Sequence, residues 1–271
     1  MLKGKSVHHL TLAVTALFFF LSSLDLQLTT ETIALSIAVF IGTFFIYRLS
    51  VWVPVISFSR QFISFYFKPN IFELVSYFFV LLSTCYFLTI RELALLSFWG
   101  LFSTCYFLNL KSGAFHFRGL RSIPIIKTIH LSLLWSIIGF IFKMPEVVLE
   151  RSLLYDFIIR FIILFIICLG VDLRDISKDK DPSEGFAIST VATYLGFEKL
   201  KLLMLIVTIT LICFLLLFST NLTLELVIAS ILFIGIISLK INSSPKTFTI
   251  LMDGTLMLYS FLALMMQLTC F

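Results

Sequence analysis

Long apolar runs dominate the chain, and its charged residues fall mainly between the runs. A helix that crosses a bilayer needs about 20 mostly apolar residues. Nine segments meet that condition: residues 10–28, 33–53, 72–90, 92–110, 123–142, 152–171, 200–219, 222–239 and 249–268. The third and fourth are nearly continuous and part at Arg91 and Glu92, while the seventh and eighth turn at STNLT. Links that short force neighbouring helices to run antiparallel. The pattern predicts an all-α integral membrane protein with nine transmembrane helices, forming a single polytopic domain over residues 1–271.

Composition strengthens this reading. The chain is 60% apolar and only 13% charged, against about a quarter charged in soluble domains. The spans leave no segment for a soluble domain. Charge then orients the helices. With the N-terminus on side one, that side collects Lys3, Lys5, Arg48, Arg60, Lys68, Lys111, Arg118, Arg121, Lys127, Arg174, Lys178, Lys180, Lys199, Lys201, Lys240 and Lys246. Side two collects Arg91, Lys143 and Arg151, and Arg160 lies inside a span. The imbalance places the N-terminus in the cytoplasm and the C-terminus outside. It predicts a multi-pass protein, of the cytoplasmic membrane if the source is bacterial. The net charge of +5 is therefore a topology signal, and nucleic acid is not an expected partner. The five cysteines all sit in apolar runs without a CxxC pair, so neither a disulfide framework nor a thiolate metal site is expected. The basic, apolar N-terminus has no small-x-small cleavage site and reads as a retained first helix. The hexapeptide STCYFL occurs at 83–88 and 103–108, which reads as coincidence in a biased sequence, as a duplication or as a small-residue packing face.

One stretch breaks the apolar pattern. GVDLRDISKDKDPSEG, residues 170–185, carries Asp172, Asp175, Asp179, Asp181 and Glu184 directly after the sixth span. If that helix continues, Asp172, Asp175 and Asp179 fall within about 60° of one another and Asp181 points away. Three carboxylates on one face repel unless water, basic side chains or a cation screens them. One reading is a solvated loop with Arg174, Lys178 and Lys180 interleaved. The other is a cation site. Oxygen ligands alone suit Mg²⁺, which commonly takes one or two carboxylates together with substrate phosphates. The pattern thus points to Mg²⁺ and a phosphorylated ligand at the cytoplasmic membrane face.

The segment DLRDISKDKDPSEGFAISTVATYLG resembles the second aspartate-rich motif of the UbiA superfamily of intramembrane prenyltransferases. Asp172, Asp175, Asp179, Gly185, Thr190 and the Leu195–Gly196 pair match that motif in order. LRSIPIIKTIHLSLLW, residues 120–135, resembles the start of the family's fifth helix. The resemblance implies a UbiA-like helical bundle that moves an isoprenoid chain from a prenyl diphosphate to a lipophilic or aromatic acceptor within membrane lipid. It implies Mg²⁺ held by Asp172, Asp175 and Asp179, with Arg121 and Lys127 facing the diphosphate and Arg118 as a weaker third. The metal and the cations would neutralise the leaving group as the allylic C–O bond breaks.

The family's first acidic motif is missing. No carboxylate occurs between Glu31 and Glu73, where the charged residues are Arg48, Arg60 and Lys68. Arg48 would then meet diphosphate directly, or the chain keeps the fold as a non-catalytic isoprenoid or lipid binder. The stretch from Pro54 to Pro69 is basic and aromatic, suited to the membrane interface. Asp156 and Arg160 share a helical face and read as a structural ion pair or an intramembrane functional pair. Asp253 reads as a helix cap or as a partner of Lys127 or Arg121. A secondary transporter fits less well, since its charges belong near mid-membrane.

Overall fold

The computed structural model describes residues 2–22, 29–52, 56–58, 63–65, 71–107, 110–112, 115–117, 120, 123–138, 151–179, 190–218, 223–241 and 243–269. In chain order the helices are α1 (Leu2–Leu21), α2 (Thr30–Trp52), α3 (Ile71–Cys85), α4 (Ile90–Phe107), α5 (Pro124–Ile138), α6 (Arg151–Asp179), α7 (Val191–Leu195), α8 (Phe197–Phe218), α9 (Thr223–Ser238) and α10 (Pro245–Thr269). Each of the nine predicted segments overlaps one of these helices, and α7 is additional. Among the described residues, four helices contain stretches long and apolar enough to cross a membrane: Thr30–Tyr47, Leu154–Arg174, Phe197–Leu217 and Lys246–Met266. These are the marks of a membrane protein. The apolar helices Leu10–Leu21, Val75–Cys85, Pro124–Ile138 and Thr223–Ser238 are shorter. At about 1.5 Å per residue they fall below a ~30 Å hydrocarbon core, so length alone does not make nine crossings.

Among the described residues there are also four short strands, which the sequence reading did not include: β1 (Ile56–Phe58), β2 (Ile63–Phe65), β3 (Leu110–Ser112) and β4 (Phe115–Phe117). They form one sheet in the order β2-β1-β3-β4, with β1 and β3 parallel and the two outer pairs antiparallel. Part of the expected interfacial stretch is therefore a hairpin. Its ISF triplets at 56–58 and 63–65 combine β-branched and aromatic residues that favour strands. The sheet joins the α2–α3 link to the α4–α5 link, two segments that the charge count had assigned to the same face.

The chain divides into two compact units. The first comprises residues 1–120, 137–145 and 264–271; the second comprises 121–136 and 146–263. In the first unit, α1 packs against α2. Ala13, Ala16, Ala34 and Ala38 are buried, and small residues let helix backbones approach closely. The α3–α4 turn falls at residues 86–89 rather than at Arg91–Glu92. Thr89 and Glu92 explain the shift. Glu92 Oε2 accepts from the Thr89 backbone N–H at 2.9 Å, and Thr89 Oγ1 accepts from the Glu92 N–H at 3.3 Å. This reciprocal capping box starts α4 at Ile90, so Arg91 and Glu92 lie inside its first turn.

The second unit is built around α6. Ile163, Leu164, Ile166, Ile167, Cys168 and Leu169 are buried almost all round the helix, as expected for a helix enclosed by others. Gly170 admits α10 closely, since a Cβ there would meet the Met252 side chain at 2.3 Å. Side-chain contacts fix the helix directions. Tyr155 near the start of α6 meets Phe214 near the end of α8, with ring centroids 5.5 Å apart. Lys201 near the start of α8 donates to the carbonyls of Ile237 and Leu239 at the end of α9. Phe197 at the start of α8 meets Phe248 near the start of α10. The starts of α8 and α10 and the ends of α6 and α9 therefore lie at one end of this unit, and the antiparallel α8–α9 pair is the one that its short link predicts.

Between α6 and α8 lies the Thr-rich stretch of the motif. Thr190 caps α7, accepting from the Thr193 N–H at 3.1 Å. Gly196 follows with φ +78 and ψ 170, a conformation essentially reserved for glycine. It turns the chain between α7 and α8. Two motif positions thus have structural roles.

Candidate functional site

α6 does not stop at the end of its apolar span. It runs 29 residues to Asp179, so Asp172, Asp175 and Asp179 share one continuous helix. Of these, Asp172 has a described side chain. It is 2% exposed and engaged at both oxygens. Lys127 Nζ lies 2.6 Å from Oδ1, and Thr128 Oγ1 donates to Oδ2 at 2.8 Å. Lys127 is itself buried, at 7% exposure. The two residues expected to meet metal and diphosphate separately are brought together as an ion pair.

Local structure explains the pairing. Pro124 opens α5, where its missing N–H costs nothing. That places Lys127 in the first turn, whose unpaired N–H groups disfavour a cation. A buried ammonium there requires an anion, and Asp172 of α6 supplies it. Thr128, the next residue on α5, steadies the second carboxylate oxygen.

A second pair lies on the other side of α6. Arg174 Nη1 is 3.2 Å from Asp253 Oδ2 and 3.4 Å from Thr249 Oγ1 of α10. Two residues along a helix are about 160° apart around its axis, so α5 and α10 grip opposite faces of α6 at one level. Asp253 is therefore bound to Arg174. It lies two turns beyond Pro245, too deep to cap α10; Ser244 takes that place by accepting from the Thr247 N–H at 3.2 Å. Lys127, Arg174, Asp172 and Asp253 together carry no net charge.

Asp175 and Asp179 have their backbones in α6, and their register continues the Asp172 face; their side chains lie outside the described residues. Arg118 and Arg121 lie outside them entirely. Arg48 has its backbone in α2, in the first unit, and its side chain lies outside them too. Among the described residues, no three His, Cys, Asp or Glu side chains gather to hold a metal. Asp172 does not fit the Mg²⁺ role. A divalent ion at about 2.1 Å from either oxygen would stand within a few ångströms of the Lys127 ammonium, and like charges that close repel strongly.

Sequence reasoning missed two groups. Thr128 carried no signal beyond standing next to Lys127. Glu225, buried in the first turn of α9, was unmarked because it sits at a span boundary. Arg160 and Asp156 of α6 act on it electrostatically, and Tyr259 of α10 is a neighbour. Arg160 thus belongs to a wider polar group than a pair with Asp156.

Comparison of the chain with protein-family models, with curated proteins and with solved structures gives no match. The functional assignment therefore rests on the residues and their geometry.

Proposed function

We propose that the protein is a membrane-embedded prenyltransferase that moves an isoprenoid chain from a prenyl diphosphate to a lipophilic or aromatic acceptor. The observation that carries this reading is the buried Lys127, held by Asp172 where the apolar part of α6 gives way to its acidic extension. An apolar wall meeting a fixed cation suits an amphiphile with a long hydrocarbon tail and an anionic head. Lys127 would bind the diphosphate. As the allylic C–O bond breaks, its electron pair passes to the diphosphate oxygen, and the ammonium stabilises the charge that develops there. The acceptor's nucleophile forms the new bond to the freed allylic carbon and releases a proton. The Mg²⁺ of the resemblance has no complete donor set among the described residues, and no step is assigned to it. Its remaining candidates are Asp175 and Asp179. Nine crossings with a cytoplasmic N-terminus complete the proposal; the alternating helix directions of the second unit support it.

A second reading is a non-catalytic isoprenoid binder. The mutual neutralisation of Lys127 and Asp172 favours it, as does the lack of carboxylates between Glu31 and Glu73. Diphosphate release separates the two. Purified protein given a set of prenyl diphosphates and candidate acceptors, with and without Mg²⁺, should release diphosphate. Binding without release from any pair would establish the second reading.

A further inference from the structure

We propose that Asp172 and Thr128 are positioning residues that hold the Lys127 ammonium for an anionic diphosphate head, and that Asp172 does not ligate metal. This rests on the proposed function and changes the role of one residue within it. The three side chains form a chain of contacts: Thr128 Oγ1 to Asp172 Oδ2 at 2.8 Å, and Asp172 Oδ1 to Lys127 Nζ at 2.6 Å. Thr128, Asp172 and Lys127 are all more than nine-tenths buried. A lysine ammonium has three donors. Asp172 takes one, and the proposal gives the other two to phosphate oxygens without breaking the pair. A free lysine side chain loses substantial rotamer freedom when it is fixed. Here Asp172 fixes it in advance, and Thr128 prevents the carboxylate from rotating away. Asp172 itself already has a cation, which leaves little reason for Mg²⁺ to share it.

The test uses the full chain in lipid nanodiscs, with farnesyl diphosphate as the probe. Affinity and the number of binding sites are measured at fixed Mg²⁺, and the Mg²⁺ half-saturation is measured at saturating probe. Thr128→Val removes one hydrogen bond to a charged group at nearly constant volume. It should weaken farnesyl diphosphate binding about ten-fold, with the number of sites and the Mg²⁺ half-saturation unchanged. Thr128→Ser keeps the hydroxyl and should restore the affinity, which a packing defect at this position would not predict. Asp172→Asn should also weaken the probe while leaving the Mg²⁺ half-saturation within about two-fold. Three outcomes would overturn the inference while leaving the proposed function intact. These are a ten-fold or larger rise in Mg²⁺ half-saturation for Asp172→Asn, tighter probe binding by that variant, or wild-type affinity in Thr128→Val. A wild-type chain that binds no farnesyl diphosphate at any Mg²⁺ concentration overturns the proposed function and this inference together.

Discussion

Lys127 and Asp172 are a poor arrangement for stability alone. Burying two charges costs several kcal/mol per ion, and an apolar pair of similar size is often as stable or more so. Removing one partner is a different matter, because the other charge stays buried. Lys127→Met should therefore destabilise the second unit by about 3–5 kcal/mol. Lys127→Met combined with Asp172→Asn should recover most of that loss. Thermal unfolding of the detergent-solubilised single and double variants checks this. Additive losses in the double variant would mean that the two side chains are not coupled. Gly196 gives a second prediction at this scale. At φ +78 a Cβ is strained, and Gly196→Ala should cost about 1–3 kcal/mol. A Tm equal to wild type would place a different backbone at the α7–α8 turn.

At the scale of elements, the acidic cluster as far as Asp179 is a continuation of α6 rather than a loop. Three aspartates at 172, 175 and 179 occupy one face of that continuation, and Asp181 lies outside the described residues. Asp175→Asn and Asp179→Asn should therefore weaken Mg²⁺-dependent binding of farnesyl diphosphate more than Asp181→Asn does. Equal losses at all three positions would indicate a general acidic surface. The helices themselves were legible from sequence, since each apolar run overlaps one helix. Their ends were not. α4 begins where the Thr89–Glu92 capping box forms, a local hydrogen-bond pattern that a hydropathy window averages away. The STCYFL repeat shows the same limit. In both copies the serine donates to the carbonyl four residues back and the threonine to the one three back. Yet α3 ends inside the first copy, where Tyr86 is 86% exposed, whereas Tyr106 in the second is buried at 5%. Local chemistry is repeated, and surroundings are not. The short sheet was hidden for a related reason: three-residue strands between long apolar runs leave little periodicity.

At the scale of the whole molecule, the order of the helices and, within the second unit, their alternating direction were more legible than partners across helices. The face shared by Asp172, Asp175 and Asp179 follows from spacing along one helix. The partners of those residues do not, because Lys127 with Asp172 and Arg174 with Asp253 join positions 45 and 79 residues apart. The charge count that orients the helices predicts a location for every link. Cysteine-labelling should find 111–122 and the segment between α6 and α8 accessible from the cytoplasm, and Phe271 accessible from the opposite side. A cytoplasmic Phe271 would remove the nine-crossing arrangement.

The central claim is that Lys127, held by Asp172, binds a prenyl diphosphate head. It is tested most directly by the affinity of farnesyl diphosphate for the Lys127→Met, Asp172→Asn double variant, which removes both charges and leaves no unpaired ion buried. The account predicts a folded protein whose affinity falls at least about ten-fold, the worth of a lost charge-assisted contact. A folded double variant that binds farnesyl diphosphate as tightly as wild type would contradict it, and the pair would then only join α5 to α6.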